Sequence, residues 1–271
     1  SYARAKTWYV GTSNRIDGDV DVSRIPALAA TGLATALPDD TLITVRTRLL
    51  DAGNRTSELT STGTRMLLGA SGSFGSWDYD AGLAHAVNRV SERDGRGYLL
   101  YDKAMEGFAN GLINPFGPSS AAGLQFLESI QVNDEVRRAR GTTDTVDFKL
   151  SRSLGRMAGG EANLALGAEV RREKASSAAS DLLLSDNIAG DSTPGDAQTR
   201  SNSRTVKAVF AEVVLPLTKT LELGAALRHD RYTVVGGSTN PKASLRWRPS
   251  ETALVRASVG TGFRAPTLDD M

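Results

Sequence analysis

Alternation of apolar and polar residues is the dominant pattern of this chain. Between residues 161 and 171, even positions are apolar and odd positions are polar or small. A period of two is typical of a β-strand with one apolar face. The same period recurs at 66–74, 77–84, 145–150, 220–230, 242–248 and 252–259. Residues 205–215 are apolar on both faces except for Lys207 and Glu212, so the orientation of this strand stays open.

The connections between these strands alternate in length. Short turns are predicted at 75–76, 155–160, 217–220, 236–238 and 249–251, whereas 91–140 and the polar stretch 175–202 lack a clean strand pattern. A structureless loop of about 50 residues is uncommon in a compact soluble domain. Outer-membrane barrels have short periplasmic turns and long extracellular loops. The pattern therefore favours an all-β fold, an antiparallel up-and-down transmembrane β-barrel whose apolar face meets lipid and whose polar face lines a lumen.

Composition narrows the function classes. The 271 residues include 32 Lys and Arg, 31 Asp and Glu, and no cysteine. Without cysteine, a disulfide scaffold, a thiolate zinc site and a cysteine nucleophile are excluded. The balanced charge, with no block of like charges, predicts no nucleic-acid partner. No stretch reaches the roughly 20 apolar residues of a membrane-spanning helix.

Motifs for catalysis are weak. Gly260, Gly262 and Ala265 match a dinucleotide fingerprint, but Pro266 stands where the helix of that motif should open. The two histidines form no HExxH pair, and no complete serine-hydrolase elbow occurs. The sequence thus predicts neither an enzyme nor a cofactor or metal site.

Three C-terminal segments carry a family resemblance: AEVVLPLTKTLELGAALRHDRYT (211–233), NPKASLRWRPS (240–250) and VRASVGTGFRAPTLDDM (255–271). They closely resemble the β-barrel of TonB-dependent outer-membrane receptors. The GFRAP element familiar in that family stands here as Gly262, Phe263, Arg264, Ala265 and Pro266. The segments 164–174, 111–118 and 75–85 are similar to the same family, so the resemblance covers most of residues 55–271. Residues 1–50 are left without a placement.

The resemblance implies a plugged barrel of about 22 strands that imports a scarce ligand, such as a ferric siderophore, cobalamin or a sugar, across the bacterial outer membrane. The TonB system, a metal chelate or other small ligand, and outer-membrane lipid are the implied partners. The alternation accounts for about nine strands, and no plug domain, TonB box or terminal aromatic strand is recognised. Residues 1–271 are therefore expected to be part of a single barrel domain, without the plug and the C-terminal strands, and to leave a sheet edge unpaired.

Polar residues of the long loop and the lumen are the ligand candidates. They are Arg93, Arg96, Tyr98, Tyr101 and Lys103 in the loop, and Arg228, Arg246 and Arg256 on the polar face. Arginine pairs bidentately with carboxylate or phosphate, and tyrosine stacks or hydrogen-bonds, which suits an anionic metal chelate. Alternatively, the lumen arginines pair with plug or wall carboxylates and the tyrosines only fold the loop. A passive porin-like channel and a soluble all-β binding module are the rival functions.

Overall fold

The computed structural model describes residues 1–24, 28, 31–32, 36–38, 41–191, 199–268 and 270. The strands in chain order are β1 (Tyr2–Ser13), β2 (Arg15–Asp21), β3 (Leu42–Arg48), β4 (Asn54–Phe74), β5 (Trp77–Asp94), β6 (Leu99–Leu100), β7 (Asp134–Met157), β8 (Gly160–Ala179), β9 (Ile188–Ala189), β10 (Arg200–Pro216), β11 (Leu221–Tyr232), β12 (Gly236–Ser250) and β13 (Ala253–Gly260). The described α-helices are α1 (Tyr101–Ala109), α2 (Ala121–Ser129) and α3 (Asp181–Leu184). None of the described helices is long and apolar enough to cross a membrane.

Nine strands form one antiparallel sheet in the order β1-β4-β5-β7-β8-β10-β11-β12-β13. Each long strand pairs with the next one along the chain, so the sheet is an up-and-down meander and the predicted fold class is confirmed. Among the described residues this sheet is open, with β1 and β13 at its edges, as expected for an incomplete barrel. β1, in the region that the sequence left unplaced, pairs with β4 from Tyr2 opposite Thr64 to Ser13 opposite Asn54.

The long connections lie at one end of the sheet and the short turns lie at the other, except that the short connection 233–235 lies at the loop end. The turn end holds the tight turns 75–76, 158–159, 217–220 and 251–252, and the loop end holds the connections 14–53, 95–133 and 180–199. Residues 192–198 of the predicted polar loop lie outside the described residues. The short tip predicted at 236–238 falls at 233–235, because Gly236 already pairs with Tyr232.

β5 and β7 extend past the alternating segments that predict them. Their pairing continues to Asp94 opposite Asp134, so the predicted loop 91–140 narrows to 95–133. Beyond Ala84, β5 carries polar residues on both faces, among them Asn88 and Arg89. With no apolar face there, the alternation that marks a strand in the sequence is lost.

The alternating apolar residues share one face of the sheet, which we call the outer face; the opposite face is the inner face. Exposed members of the outer face include Met66, Leu68, Leu83, Val146, Phe148, Leu166, Val170, Val209, Leu227 and Val259. Pairing aligns them across strands; Val146, for example, lies opposite both Leu83 and Val170. The result is an apolar band. An exposed apolar surface of this kind is costly in water, whereas a barrel wall presents it to lipid.

The long connections pack together at the loop end into a layer that we call the cap. β2 pairs with β3, and β6 pairs with β9, which joins two of the connections. The hairpin and the helices share a buried core of Ile16, Val20, Val45, Leu49, Ala52, Leu99, Ala104, Phe108, Ile113, Leu127, Ile130 and Ala189. Gly107 permits this contact, since a Cβ there would lie 2.6 Å from Ile113 and from Phe126. The cap was not predicted by the sequence, which indicated only unpatterned loops.

Inner face and loop cap as the candidate ligand site

Charged side chains on the inner face of β8, β10 and β11 form a continuous ladder of ion pairs. In order, its members are Asp230, Arg228, Glu169, Arg171, Glu173 and Arg204. The N–O distances range from 2.6 Å between Arg204 and Glu173 to 3.5 Å between Arg228 and Glu169. Each cation contacts a wall carboxylate, so the ladder is electrically balanced. The predicted ligand candidate Arg228 is one of its members.

β10 forms the floor beneath this ladder. Ala208 lies opposite the ladder residues Glu169 and Asp230, and Val206 lies opposite Arg171 and Tyr232; the two side chains are only 4% and 0% exposed. The inner face of β10 carries small apolar side chains that are covered by the long charged side chains of β8 and β11. For this reason β10 is apolar on its inner face as well as on its outer face. The register resolves its orientation: Lys207 lies on the outer face and Glu212 on the inner face.

Arg246 and Arg256 lie opposite each other on β12 and β13, nearer the turn end. Arg246 Nη1 is 3.8 Å from Glu222 Oε2. Arg256 is exposed, and within the described residues no carboxylate pairs with it. Within that part of the chain, only one of the two arginines therefore has a carboxylate partner, which leaves local positive charge for an anion to neutralise.

The segment Gly262–Pro266 leaves the sheet after β13 and docks on the end of the ladder. Arg204 donates from Nη1 to the carbonyl oxygen of Pro266 at 2.5 Å. The ring of Phe263 lies 5.6 Å from the ring of Tyr232, and the Arg204 guanidinium lies 5.6 Å from that same tyrosine ring. The family signature named from the sequence thus contacts the inner-face charges directly.

The basic loop candidates lie at the junction of the cap and the sheet or on the cap surface. Arg93 donates from Nε to Asn133 Oδ1 at 2.9 Å. Lys103 pairs with Glu106 at 2.8 Å on the surface of α1. Arg96 is exposed, with no ion pair among the residues that the structure describes. Of these three cations, Arg96 is the one left open to an anionic ligand.

Of the two loop tyrosines, Tyr98 holds the cap to the sheet and Tyr101 links two parts of the cap. The Tyr98 hydroxyl lies 3.1 Å from Ser57 Oγ on β4, and the Arg55 guanidinium lies 5.8 Å from the Tyr98 ring. Tyr101 donates its hydroxyl proton to the carbonyl oxygen of Asp17 in the β2–β3 hairpin at 2.9 Å. These contacts fit the alternative in which the tyrosines fold the loop; ligand contact by either tyrosine stays a prediction.

A surface groove of about 390 Å³ runs along the inner face at the loop end. Its lining includes Leu59, Val90, Arg137, Ala139, Ser177 and Arg200. The Arg137 guanidinium donates two hydrogen bonds to Asp191, at 2.9 and 2.8 Å, and is thereby fixed in place. An apolar floor with a few oriented polar groups is the usual composition of a small-molecule site.

Asp94, at the loop end of β5 and beyond the apolar band, is a buried acid next to this groove. Ser57 Oγ donates to its Oδ1 at 3.1 Å, while Oδ2 has no hydrogen-bond partner among the described residues. Burial and the negative charge of Asp191 raise the pKa of Asp94 to about 7. The junction between β5 and the connection that carries Asp191 therefore changes charge near neutral pH.

The ladder and the Asp94 junction were missed by reasoning from the sequence. Glu169 and Arg171 alternate visibly with apolar residues, but their partners on other strands become known only from the register. Asp94 and Asp191 are far apart in sequence, and their contact depends on the cap. Within the described ranges, no three His, Asp or Glu side chains gather as a metal site.

The chain matches one family model, described as TonB dependent receptor-like, beta-barrel, over residues 6–271. No curated protein matches it. A crystal structure of a ferric enterobactin receptor mutant from Pseudomonas aeruginosa in complex with enterobactin is 16% identical, with 81% of this chain and 43% of that chain covered and a TM-score of 0.35. The ferric enterobactin receptor in complex with BCV-L6 is 14% identical, with 98% and 45% covered and the same TM-score. The chain thus spans less than half the length of these receptors.

Proposed function

Because the chain belongs to the family of TonB-dependent receptor β-barrels, we propose that it forms part of the wall of a bacterial outer-membrane receptor that imports a scarce ligand. The imported ligand is a ferric siderophore, cobalamin or a similar small molecule. Energy reaches the receptor through TonB, which contacts a part of the receptor outside this chain. The family is one of receptors and not of enzymes. Residues 1–271 belong to a single barrel domain in this proposal.

The family match over residues 6–271 is the observation that carries the proposal. The two faces of the sheet support it. Apolar side chains such as Leu68 and Val259 are 69% and 73% exposed on the outer face, where lipid would cover them. The inner face carries the ion-pair ladder, and such a polar surface suits a water-filled or plugged lumen.

The groove on the inner face is the proposed ligand subsite, and its arginines, its single carboxylate (Glu92) and its apolar floor suit an anionic metal chelate with apolar surface. Arg137 and Arg200 lie in its lining beside Leu59 and Val90. Arginine binds carboxylate or phosphate groups through its planar fork. Arg96, exposed at the same end of the sheet, is proposed to meet the ligand on entry.

Uptake measurements test the function. Cells that express the complete receptor should accumulate one of a panel of radiolabelled ferric siderophores or cobalamin, and deletion of the gene should abolish that uptake. Loss of TonB or collapse of the proton-motive force should abolish it equally. Uptake that persists without TonB would favour the passive channel instead. A complete protein that stays soluble without detergent would favour the soluble binding module.

The subsite has its own test. Val90→Trp should fill the groove and weaken ligand binding at least tenfold, because the indole occupies the floor. Val146→Trp is the matched control: it is the same substitution on β7, but on the outer face, where Val146 is 54% exposed. Equal affinities for the two variants would contradict the assignment of the groove.

A further inference from the structure

Five of the basic side chains on the outer face lie together on the loop-end side of the apolar band. They are Arg89 on β5, Arg138 and Arg140 on β7, and Arg172 and Lys174 on β8. Arg89 lies directly opposite Arg140 in the register. Since neighbouring strands are about 4.8 Å apart and residues rise about 3.4 Å each, the five positions span about 10 Å by 20 Å of one surface. We call this surface the basic patch.

The basic patch is not balanced by the protein itself. All five side chains are exposed, and none has an ion-pair partner in the part of the chain that the structure describes. Two carboxylates lie nearby: Asp144, which is 2.6 Å from His85, and Glu135, which accepts a hydrogen bond from Ser91. Five cations against two anions leave an excess of three positive charges. Like charges directly opposite on paired strands are destabilising, so a bound anion would stabilise this surface.

Residues of the basic patch line two grooves that differ in polarity. One, of about 530 Å³, is lined by apolar band residues such as Leu68, Leu83 and Val170, and also by Arg172. The other, of about 540 Å³, is lined by Arg89, Arg138 and Arg140, together with one carboxylate, Glu135, and threonine and serine side chains. An apolar groove and a groove with net positive charge, both bordered by the basic patch, match an amphiphile with acyl chains and an anionic head.

We propose that the basic patch binds the phosphate-bearing headgroup of a membrane lipid, whose acyl chains lie in the apolar groove below it. The paired guanidinium groups of Arg89 and Arg140 would clasp the phosphate, since arginine matches phosphate geometry with two parallel hydrogen bonds. Arg172, at the boundary of the two grooves, would contact the glycerol or sugar oxygens. The inference rests on the proposed position of the wall in a membrane, but not on the ligand that the receptor imports.

Lipid selectivity of the complete receptor tests the proposal. The receptor is reconstituted in phosphatidylcholine bilayers with a trace of spin-labelled phosphatidic acid or spin-labelled phosphatidylcholine, and electron paramagnetic resonance gives the fraction of each label immobilised at the protein surface. A basic side chain near the headgroups contributes about fivefold to the association of an anionic lipid. We expect phosphatidic acid to be preferred at least about fivefold, and Arg89→Gln/Arg140→Gln to lower that preference at least about fivefold.

The matched control is Arg246→Gln/Arg256→Gln, which removes a register-paired arginine couple from the inner face and should leave the preference intact. The immobilised fraction of phosphatidylcholine reports that each variant is folded in the bilayer. No preference in the unmodified receptor, or equal losses in the two variants, would overturn the proposal. Displacement of phosphatidic acid by 20 mM inorganic phosphate would overturn it too, because the site would then bind free anions.

Ligand uptake separates this inference from the proposed function. Arg89→Gln/Arg140→Gln should leave uptake unchanged, because both residues face away from the lumen. A receptor that shows the lipid preference without any TonB-dependent uptake would refute the transport function alone. A receptor that imports its ligand without the lipid preference would refute the lipid site alone.

Discussion

Phe108 is the largest fully buried side chain of the cap core, at 1% exposure. Replacing it with alanine removes a ring from a cluster in which α1, α2 and the β2–β3 hairpin meet. Truncation of a buried phenylalanine costs about 3–5 kcal/mol. Since every 1.4 kcal/mol is a factor of ten, opening of the cap should become about 100-fold to about 4,000-fold more frequent in Phe108→Ala.

Amide hydrogen exchange on the complete receptor in lipid measures this opening directly, because the protection of an amide follows the free energy of the local opening that exposes it. We expect peptides from α1, α2 and the hairpin to lose protection together, while β7 and β8 keep theirs. Phe116→Ala is the matched control: Phe116 lies in the same connection but is 59% exposed, so little should change. Similar losses in the two variants, or a loss that spreads over the sheet, would refute the cap as a separately packed layer.

Three further predictions concern the junctions around the cap and the ladder. The raised pKa of Asp94 means that its stabilising protonated form is present at low pH and is lost as the pH rises through about 7. Protection of the amides near Asp94, measured relative to the intrinsic exchange rate at each pH, should therefore be lower at pH 8 than at pH 5.5, and Asp94→Asn should remove that difference; a difference that survives would refute the assignment. Gly97→Ala should lower the midpoint of thermal unfolding, because the φ of Gly97 is +86° and a Cβ would lie 2.5 Å from the β4 backbone. Gly75→Ala is the control: Gly75 also has a positive φ but open space around it, so the free energy of unfolding should fall by only about 1–2 kcal/mol. Equal midpoints for the two variants would speak against the close contact at Gly97. Arg204→Ala should release the 261–268 segment in hydrogen exchange, since its guanidinium links that segment to Glu173; unchanged protection would show that the ion pair does not hold the segment.

The sequence was sufficient for the sheet because one physical rule governs it. Within the membrane a strand must show an apolar face to lipid, so the alternation over residues 161–171 and 77–84 identifies both the strands and their outer faces. Above the apolar band this requirement ends, and the loop-end half of β5 therefore carries no strand signal.

The inner face and the cap depend on contacts between residues that are distant in sequence. Glu173 is recognisable as an inner-face charge, but its partner Arg204 is fixed only once β8 and β10 are in register. Nothing in the sequence distinguishes Phe108 and Leu127 from other apolar residues, because their burial depends on the packing of α1 against α2. Of the candidate arginines, Arg228 and Arg246 pair with wall carboxylates, whereas Arg96 and Arg256 lack such a partner among the described residues.

The central claim is that the sheet is a membrane wall with lipid against its outer face, and two adjacent leucines test it most directly. Leu68 on the outer face and Leu67 on the inner face are 69% and 66% exposed, so exposure alone does not distinguish them. The measurement is the free energy of unfolding of the complete receptor from lipid vesicles, by urea titration, for Leu68→Arg and Leu67→Arg. An arginine side chain that faces lipid lowers the free energy of unfolding by up to about 2–4 kcal/mol. We therefore expect Leu68→Arg to lose about that amount and Leu67→Arg to change little. Equal losses, or a larger loss for Leu67→Arg, would contradict the account.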